Sequence, residues 1–406
     1  MVTLLAMAAV SAGVMLLSES PPRVYEAGLI GVGGEVAFGL ELREVGETLV
    51  AHVVNGQEKI VVPTASLVDG VLTLDFDYFG SKVVAQSKDG GETFEGEWAK
   101  RRSKGEWTRM AFVARPAGVR TLEIRPLPEG LAGRYGATFA KEAEGAVFIL
   151  GGEDARELRG TFLTTTGDYR FLAGSVESVA ADGSGVFRLS CFDGAHAFLF
   201  RAGFDGKGSL TGEFWSGATY HDTWRAERDE SAALPDPFGL TRFTGSAEGL
   251  NDLSFPDVNG TMRTMREFAG RPRVIELFGT WCPNCLDATR VLTRLQERYG
   301  PRGLAVIGLA FETTGDEELD RAQVAVYAER HRVPYTMLVA GSRDKAQAAR
   351  AFPMLDKLRA YPTFIFVDES GKVRGVYTGF SGPATGEEHE RLVRSFERMI
   401  ESMLPD

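Results

Sequence analysis

The chain has 406 residues and a formal net charge of -11 at neutral pH. This length exceeds that of an ordinary single domain, so two or three domains are expected. A composition of 44% hydrophobic and 25% charged residues is typical of a globular protein. Because an acidic chain leaves no basic face for phosphates, nucleic-acid binding is disfavoured.

The N-terminus is apolar, with no charged side chain before Glu19. A stretch of this length suits the core of a signal peptide, or just reaches a membrane span. No basic residue precedes it and no clean cleavage site follows, so a buried helix or strand is the alternative. We interpret residues 1–22 as a signal peptide or membrane anchor. The protein is therefore expected outside the cytoplasm, in the periplasm or cell envelope, with membrane attachment through the N-terminus left open.

Short alternating runs of apolar and polar residues follow, for example at 35–42, 49–54 and 71–76. Turn-forming pairs such as Asn55-Gly56 and Asp69-Gly70 separate them. Alternation with a period of two, interrupted by such pairs, predicts antiparallel β hairpins. No amphipathic run of helical length occurs here, so this region is predicted to be all-β.

Two segments of the β-rich region resemble each other. The segment 89–98 is similar to the segment 205–214, and each follows a predicted strand pair and precedes a strand containing a tryptophan, Trp107 or Trp224. We therefore predict two related antiparallel β modules, residues 28–118 and 129–228. A single larger barrel is the alternative. Neither module shows a catalytic constellation, a metal-ligand spacing or a phosphate-binding loop.

The pattern changes after a proline-containing linker at 231–238. Predicted strands at 274–278, 304–311, 335–339, 363–367 and 373–377 are interleaved with predicted helices at 285–299, 316–330, from 345, and at 387–403. Such interleaving indicates a mostly parallel sheet covered on both faces, with an antiparallel edge. Residues 245–406 are predicted to form this α/β domain.

Two of the three cysteines, Cys282 and Cys285, are three positions apart at a predicted strand-to-helix junction. A disulfide scaffold or a four-cysteine zinc site would need more cysteines. Free N–H groups and the helix dipole at a helix start favour a thiolate on Cys282, and Pro283 suits the first turn. We predict that Cys282 attacks, that Cys285 resolves, and that Trp281 flanks the exposed sulfur of Cys282. Half a zinc site is the alternative.

The third cysteine, Cys191, shares a strand face with Phe187 and Leu189. A small, buried and inert residue is the interpretation that this pattern favours. A second resolving thiol for Cys282 is the alternative.

Three motifs together point to a known family. They are Gly279-Thr-Trp-Cys-Pro-Asn-Cys285, Tyr361-Pro362-Thr363 and the hairpin at 366–372. On these motifs the C-terminal domain resembles the thioredoxin-like family, specifically the TlpA/ResA branch of the AhpC/TSA redoxin superfamily. The β modules resemble the N-terminal regions of large TlpA-like proteins in fold style only.

The resemblance implies a thioredoxin-like fold with a redox-active disulfide and no other cofactor. It implies that Pro362 is cis, faces the cysteines and leaves the preceding backbone free to pair with a substrate strand. Trp281, Pro283 and Tyr361 are accordingly assigned to substrate binding. The implied partners are protein thiols or disulfides and an upstream donor or acceptor of electrons.

The resemblance also directs attention to Glu276, because thioredoxin has a buried carboxylate six positions before its first cysteine. A buried carboxyl would have a raised pKa and could take the proton from Cys285. A glutamate facing solvent at the sheet edge is the alternative. The ResA branch often uses a glutamate three residues after the second cysteine, but Ala288 occupies that position here. Asp287 is one residue off and is expected to face solvent.

The predicted function is thiol–disulfide exchange with protein substrates. One alternative is a thiol peroxidase with an antioxidant role, although Gly279 stands where such peroxidases have a threonine before the reactive cysteine. The other is a binding or scaffold protein with an accessory redox domain. The Pro-Asn spacer does not decide between reductant and oxidant. Family likeness suggests cysteine pairs in cytochrome c maturation or general envelope disulfides as substrates.

Overall fold

The computed structural model describes residues 21–102, 105–118 and 126–405. Residues 1–20 of the predicted signal or anchor segment thus lie outside the described residues. Within the described ranges, no helix is both long and apolar enough to cross a membrane.

The first β module is a closed antiparallel sheet. Its strands, among the residues described, are β1 (Arg23–Gly31), β2 (Gly34–Val45), β3 (Thr48–Asn55), β4 (Glu58–Val61), β5 (Thr64–Val68), β6 (Val71–Phe76), β7 (Ser81–Ser87), β8 (Phe94–Arg101) and β9 (Trp107–Pro116). Strand β1 pairs with both β2 and β9, and β3 pairs with both β2 and β5, so the ends of the sheet meet. Short β4 lies beside β3 outside this ring. Closure leaves little unpaired strand edge.

The second β module repeats this arrangement. Its strands are β10 (Gly133–Phe139), β11 (Ala146–Gly152), β12 (Leu158–Thr164), β13 (Gly167–Asp168), β14 (Leu172–Val179), β15 (Gly185–Phe192), β16 (Ala197–Phe204), β17 (Ser209–Ser216) and β18 (Tyr220–Arg228). Here β10 pairs with β11 and β18, β12 pairs with β11 and β14, and β13 lies beside β12. The similar segments 89–98 and 205–214 form the same turn and strand, β8 and β17, of the two barrels. The prediction of two related modules is confirmed, and the single larger barrel is wrong.

Aromatic rings fill the second barrel. The ring of Phe162 lies 4.2 Å from that of Phe148, 4.8 Å from that of Phe200 and 4.9 Å from that of Trp224, measured between centroids. We expect Phe162→Ala to lower the free energy of unfolding by about 3–5 kcal/mol, because the deleted ring leaves a cavity. Denaturant unfolding followed by tryptophan fluorescence measures this. The control Val179→Ala, at an exposed position, should change it by less than about 0.5 kcal/mol; equal effects would contradict the prediction.

The C-terminal domain has a five-stranded sheet between helices. The strands are β21 (Arg273–Phe278), β22 (Ala305–Glu312), β23 (Thr336–Ser342), β24 (Thr363–Val367) and β25 (Val373–Thr378), in the order β23-β22-β21-β24-β25. A small hairpin of β19 (Ser254–Pro256) and β20 (Met262–Thr264) precedes it. Strands β21 to β23 pair in parallel, whereas β24 pairs antiparallel with β21 and β25. The predicted parallel sheet with an antiparallel edge is confirmed.

Helices cover both faces of this sheet. They are α1 (Pro237–Leu240), α2 (Ala247–Asp252), α3 (Pro283–Tyr299), α4 (Glu317–Arg330), α5 (Lys345–Ala351) and α6 (Glu387–Glu401). Helix α3 follows β21 after a short loop, and Pro283 fits its first turn. The apolar residues of α3 and α6 form one core with the sheet.

The C-terminal domain packs against both barrels. Arg330 of α4 forms an ion pair with Asp77 of the first barrel at 2.7 Å. Glu388 of α6 forms an ion pair with Arg134 of the second barrel at 2.9 Å. One apolar cluster joins the first barrel, part of the second barrel and the end of β21. These contacts hold the junction between β21 and α3 against the β modules.

Candidate redox site

The two motif cysteines lie at the start of α3, as predicted. Cys282 is the N-cap residue of this helix, and its Sγ accepts a hydrogen bond from the backbone N–H of Cys285 at 3.3 Å. Both are free thiols, and Cys285 is fully buried. Cys282 is only 7% exposed. The expectation of an exposed sulfur is therefore wrong, because Cys282 lies in an apolar cluster that also contains residues of the barrels.

The predicted proline lies beside the cysteines. The peptide bond between Tyr361 and Pro362 is cis. The thiol of Cys282 donates to the backbone oxygen of Tyr361 at 3.7 Å. The backbone that precedes Pro362 therefore adjoins the reactive sulfur.

Two aromatic rings stand next to this pair. The rings of Trp281 and Tyr361 meet edge to face at 5.7 Å, and the Nε1 of Trp281 donates to the backbone oxygen of Phe311 at 2.9 Å. The guanidinium of Arg343 lies over the Trp281 ring at 4.8 Å. Pro283 is the first residue of α3 and is buried. The structure thus brings Trp281, Tyr361 and Pro283 together around the cysteines; their part in substrate binding stays a prediction.

Glu276 lies inside the sheet on β21 and is fully buried. The alternative of a solvent-facing glutamate is wrong, since β22 and β24 flank β21 on both sides. Burial raises the pKa of the Glu276 carboxyl well above its ordinary value, and nearby Cys282 raises it further. Burial likewise raises the pKa of the Cys285 thiol, with the hydrogen bond to Cys282 adding to the shift. A carboxyl with a raised pKa is a base strong enough to exchange a proton with a thiol.

A second buried carboxyl, Glu312, supports the loop before the cysteines and was missed from the sequence. It ends β22 and accepts hydrogen bonds from both the backbone N–H and the hydroxyl of Thr280, each at 2.8 Å. Burial raises its pKa to about 7, although the bonds from Thr280 oppose the shift. Its place at the end of a buried strand was the available indication, because sites in open α/β sheets lie at such ends.

The expectation that Asp287 faces solvent is wrong. Its side chain is 2% exposed and forms an ion pair with Arg170 of the second barrel. The neighbouring Asn284, between the two motif cysteines, donates from Nδ2 to the backbone oxygen of Asp168 at 3.3 Å. The physical reason is domain packing: the second barrel covers the face of α3 that a free thioredoxin-like domain would leave in water.

Cys191 is fully buried in the aromatic core of the second barrel, together with Phe187 and Leu189. Burial raises the pKa of its thiol well above the ordinary value. Cys282 belongs to a different apolar cluster. The prediction of a buried residue is confirmed, and the placement gives no support to a resolving role.

The arrangement supplies two thiols, a buried carboxyl and a backbone edge. Within residues 21–102, 105–118 and 126–405, no group of three or more His, Cys, Asp or Glu side chains is placed to hold a metal ion. The geometry fits thiol chemistry at the N-terminus of a helix.

Sequence comparison matches residues 248–376 to the AhpC/TSA family. The thioredoxin-like protein YneN of Bacillus subtilis is 23% identical over 128 residues, which is 32% of this chain and 68% of that protein. The thiol–disulfide oxidoreductase ResA of Geobacillus thermodenitrificans is 22% identical over 128 residues, 32% of this chain and 66% of that protein.

Solved structures are also similar to this domain. A thioredoxin-family thiol:disulfide interchange protein from Chlorobium tepidum is 22% identical and covers 40% of this chain and 98% of its own, with a TM-score of 0.31. A secreted disulfide oxidoreductase of Mycobacterium tuberculosis is 17% identical and covers 36% and 98%, with a TM-score of 0.28. The family match and the curated relatives together support a TlpA/ResA-like redoxin domain in the C-terminal part of the chain, with relatives that are named thiol–disulfide oxidoreductases.

Proposed function

We propose that this protein exchanges disulfides with protein substrates through Cys282 and Cys285. The thiolate of Cys282 attacks one sulfur of a substrate disulfide, so that a bond forms between Cys282 and the substrate and the substrate disulfide breaks. Cys285 then attacks the Cys282 sulfur and releases the second substrate thiol. The substrate gains two electrons, and the protein is left with a Cys282–Cys285 disulfide. The reverse sequence oxidises a dithiol.

Glu276 acts in the second step of this scheme. Cys285 must lose its proton before it can attack, yet burial disfavours its thiolate. The raised pKa of Glu276 makes its carboxylate a suitable acceptor for that proton. The proton can then leave with the substrate thiol that is released when its bond to Cys282 breaks.

The contact between Cys282 and the backbone before Pro362 is the observation that most strongly supports this proposal. The Cys282 sulfur caps a helix and touches the backbone oxygen of Tyr361, directly before the cis Pro362. A substrate strand that pairs with this backbone would bring its own sulfur to Cys282. Relatives named as thiol–disulfide oxidoreductases support the same reading.

We further propose that the protein works outside the cytoplasm and receives electrons from, or passes them to, an upstream redox partner. The two-electron cycle requires such a partner, because each turnover leaves the cysteine pair in the opposite state. Envelope disulfides and the cysteine pairs of cytochrome c maturation are the substrate classes that the family likeness favours.

Reduction of insulin by dithiothreitol tests the exchange activity. The full chain should accelerate insulin precipitation well above the rate with dithiothreitol alone, and Cys282→Ser should return the rate to that background. The physical reason is that Cys285 is buried and has no route to substrate without Cys282. Equal rates for the two proteins would contradict the proposal.

A further inference from the structure

Arg170 lies where three parts of the protein meet. It follows β13 in the second barrel, and its side chain is 5% exposed. Its Nη2 lies 3.3 Å from Oε1 of Glu58 in the first barrel, and its Nε lies 3.4 Å from Oδ2 of Asp193 in the second barrel. Its Nη1 forms the ion pair with Asp287 of α3. One buried guanidinium therefore links both barrels to the redox helix.

The same guanidinium reaches the redox motif. Its Nη1 donates to Oδ1 of Asn284 at 3.4 Å, while Nδ2 of Asn284 donates to the backbone oxygen of Asp168. The carboxylate of Asp168 accepts from the backbone N–H of Gly382 at 2.5 Å, in the loop after β25. The second barrel thus forms hydrogen bonds with the first turn of α3 and with the loop that follows β25.

Two features of Arg170 are energetically unfavourable in the folded protein. Arg170 has a backbone φ of 63°, in the left-handed region that residues other than glycine seldom adopt. It also buries a charge, which is expensive to desolvate. Gly167 nearby leaves room for the contact, because a Cβ there would lie 2.1 Å from Nδ2 of Asn284. Backbone strain at such a position points to a functional role.

Negative groups outnumber positive ones around Arg170. The carboxyls that face it come from the first barrel, the second barrel and α3: Glu58, Asp168, Asp193 and Asp287. Arg290 also contacts Asp287, and His196 contacts Asp193. Burial raises the pKa of Glu58 to about 7 and raises that of Asp168. Removal of Arg170 would leave this cluster with uncompensated negative charge.

A lysine of the first barrel lies beside the Asp193 end of this cluster, because the backbone N–H of Ala195 donates to Oδ1 of Asp193. Lys100 of the first barrel donates from Nζ to the backbone oxygen of Ala195 at 2.7 Å. Burial lowers the pKa of Lys100 to about 8, whereas Asp193 and Cys282 both act to raise it. Lys100 is therefore a positive neighbour of the Asp193 end of the cluster.

We propose that Arg170, contributed by a β barrel, is a positioning residue of the redox centre. It holds Asn284 and Asp287 in the first two turns of α3, the helix that Cys282 caps, and it balances the carboxyls that meet at this end of the helix. The inference rests on the proposed exchange activity and extends the redox site into the second barrel.

Three variants of the full chain test the assignment: Arg170→Ala, Arg170→Lys and the control Arg159→Ala. Arg159 is on β12 of the same barrel and pairs with Glu153 at 3.2 Å and Glu157 at 3.5 Å, away from the motif. Equilibration with glutathione gives the potential of the cysteine pair, and reaction with the small disulfide 5,5′-dithiobis(2-nitrobenzoate) gives the rate of attack.

We expect Arg170→Ala to shift the equilibrium about tenfold towards the disulfide, a potential about 30 mV more negative, and to slow attack by a similar factor. Arg170→Lys should recover most of both because it restores the charge, and recovery should be incomplete because lysine cannot make the forked contact. Arg159→Ala should match the wild type.

A folded Arg170→Ala variant with unchanged potential and rate would overturn the proposal. Faster attack would also overturn it, because the Arg170 contacts would then hinder access to Cys282 and would not support its reaction. Arg170→Gln keeps a hydrogen-bonding group in the buried site and decides the point if Arg170→Ala does not fold: an unchanged potential rejects the role. The potential can be measured even if the wild type reduces no protein substrate, so failure of the exchange activity and failure of this inference are distinguishable.

Discussion

Cys285→Ser should convert the protein into a trap for its substrate. Cys282 can still attack a disulfide, but the mixed disulfide persists because no second thiol resolves it. We expect insulin reduction by dithiothreitol to fall to the uncatalysed level, and the reduced variant mixed with insulin without dithiothreitol to accumulate a covalent complex to about one equivalent. Acid quenching followed by non-reducing electrophoresis and mass spectrometry measures the complex and identifies the linked cysteine.

Two variants control this result. Cys282→Ser should form no complex, because Cys285 is fully buried and its thiol pKa is raised. Cys191→Ala should leave both exchange and trapping unchanged, since Cys191 lies in the aromatic core of the second barrel. A complex formed through Cys285 or Cys191 would show that the assigned order of attack is wrong.

Glu276→Gln should slow the resolving step about a hundredfold near neutral pH, within the range of general acid–base effects. Glutamine fills the same space but cannot accept the proton of Cys285. The defect should shrink at alkaline pH, where solvent deprotonates the thiol without help. Rapid-mixing measurements of mixed-disulfide resolution across pH 6–10 test this, with Glu318→Gln, at an exposed position on α4, as the matched control. An unchanged pH–rate profile would exclude Glu276 as the base.

Glu276→Gln should slow the resolving step but increase the stability of the fold at alkaline pH. The pKa of Glu276 is raised in the folded protein, so folding favours its protonated form. Its contribution is fully present below the unfolded pKa of about 4.3 and is lost as the pH rises through the folded value. Glu276→Gln, neutral at every pH, should therefore be more stable than the wild type at alkaline pH and about equal to it near pH 4. Thermal unfolding at both pH values checks the sign.

The local part of the redox site could be predicted from the sequence. An apolar strand, two cysteines and a proline in the first helical turn place Cys282 at a helix start whatever surrounds it. The hairpin signals of the β region are equally local, and their repetition revealed two modules. These features depend on neighbours only a few residues away.

The environment of the site could not be predicted in this way. The burial of Glu276 depends on strands β22 and β24, which flank β21 from distant parts of the sequence. The error over Asp287 arose because its partner, Arg170, is 117 residues earlier and in another domain. Periodicity within one helix describes which face is polar, but it does not say whether a second domain supplies a charge to meet it.

By itself, the sequence determined the chemistry of this protein: a thiol pair at the start of a helix in a thioredoxin-like domain, preceded by two related β modules. The tertiary structure alone decided how that pair is surrounded. It closed each β module into a barrel, buried Cys282 in an apolar cluster shared with barrel residues, and placed Arg170 against Asn284 and Asp287. The reason is physical: reactivity at a helix start is set by local geometry, whereas burial and charge balance are set by groups that meet only on folding.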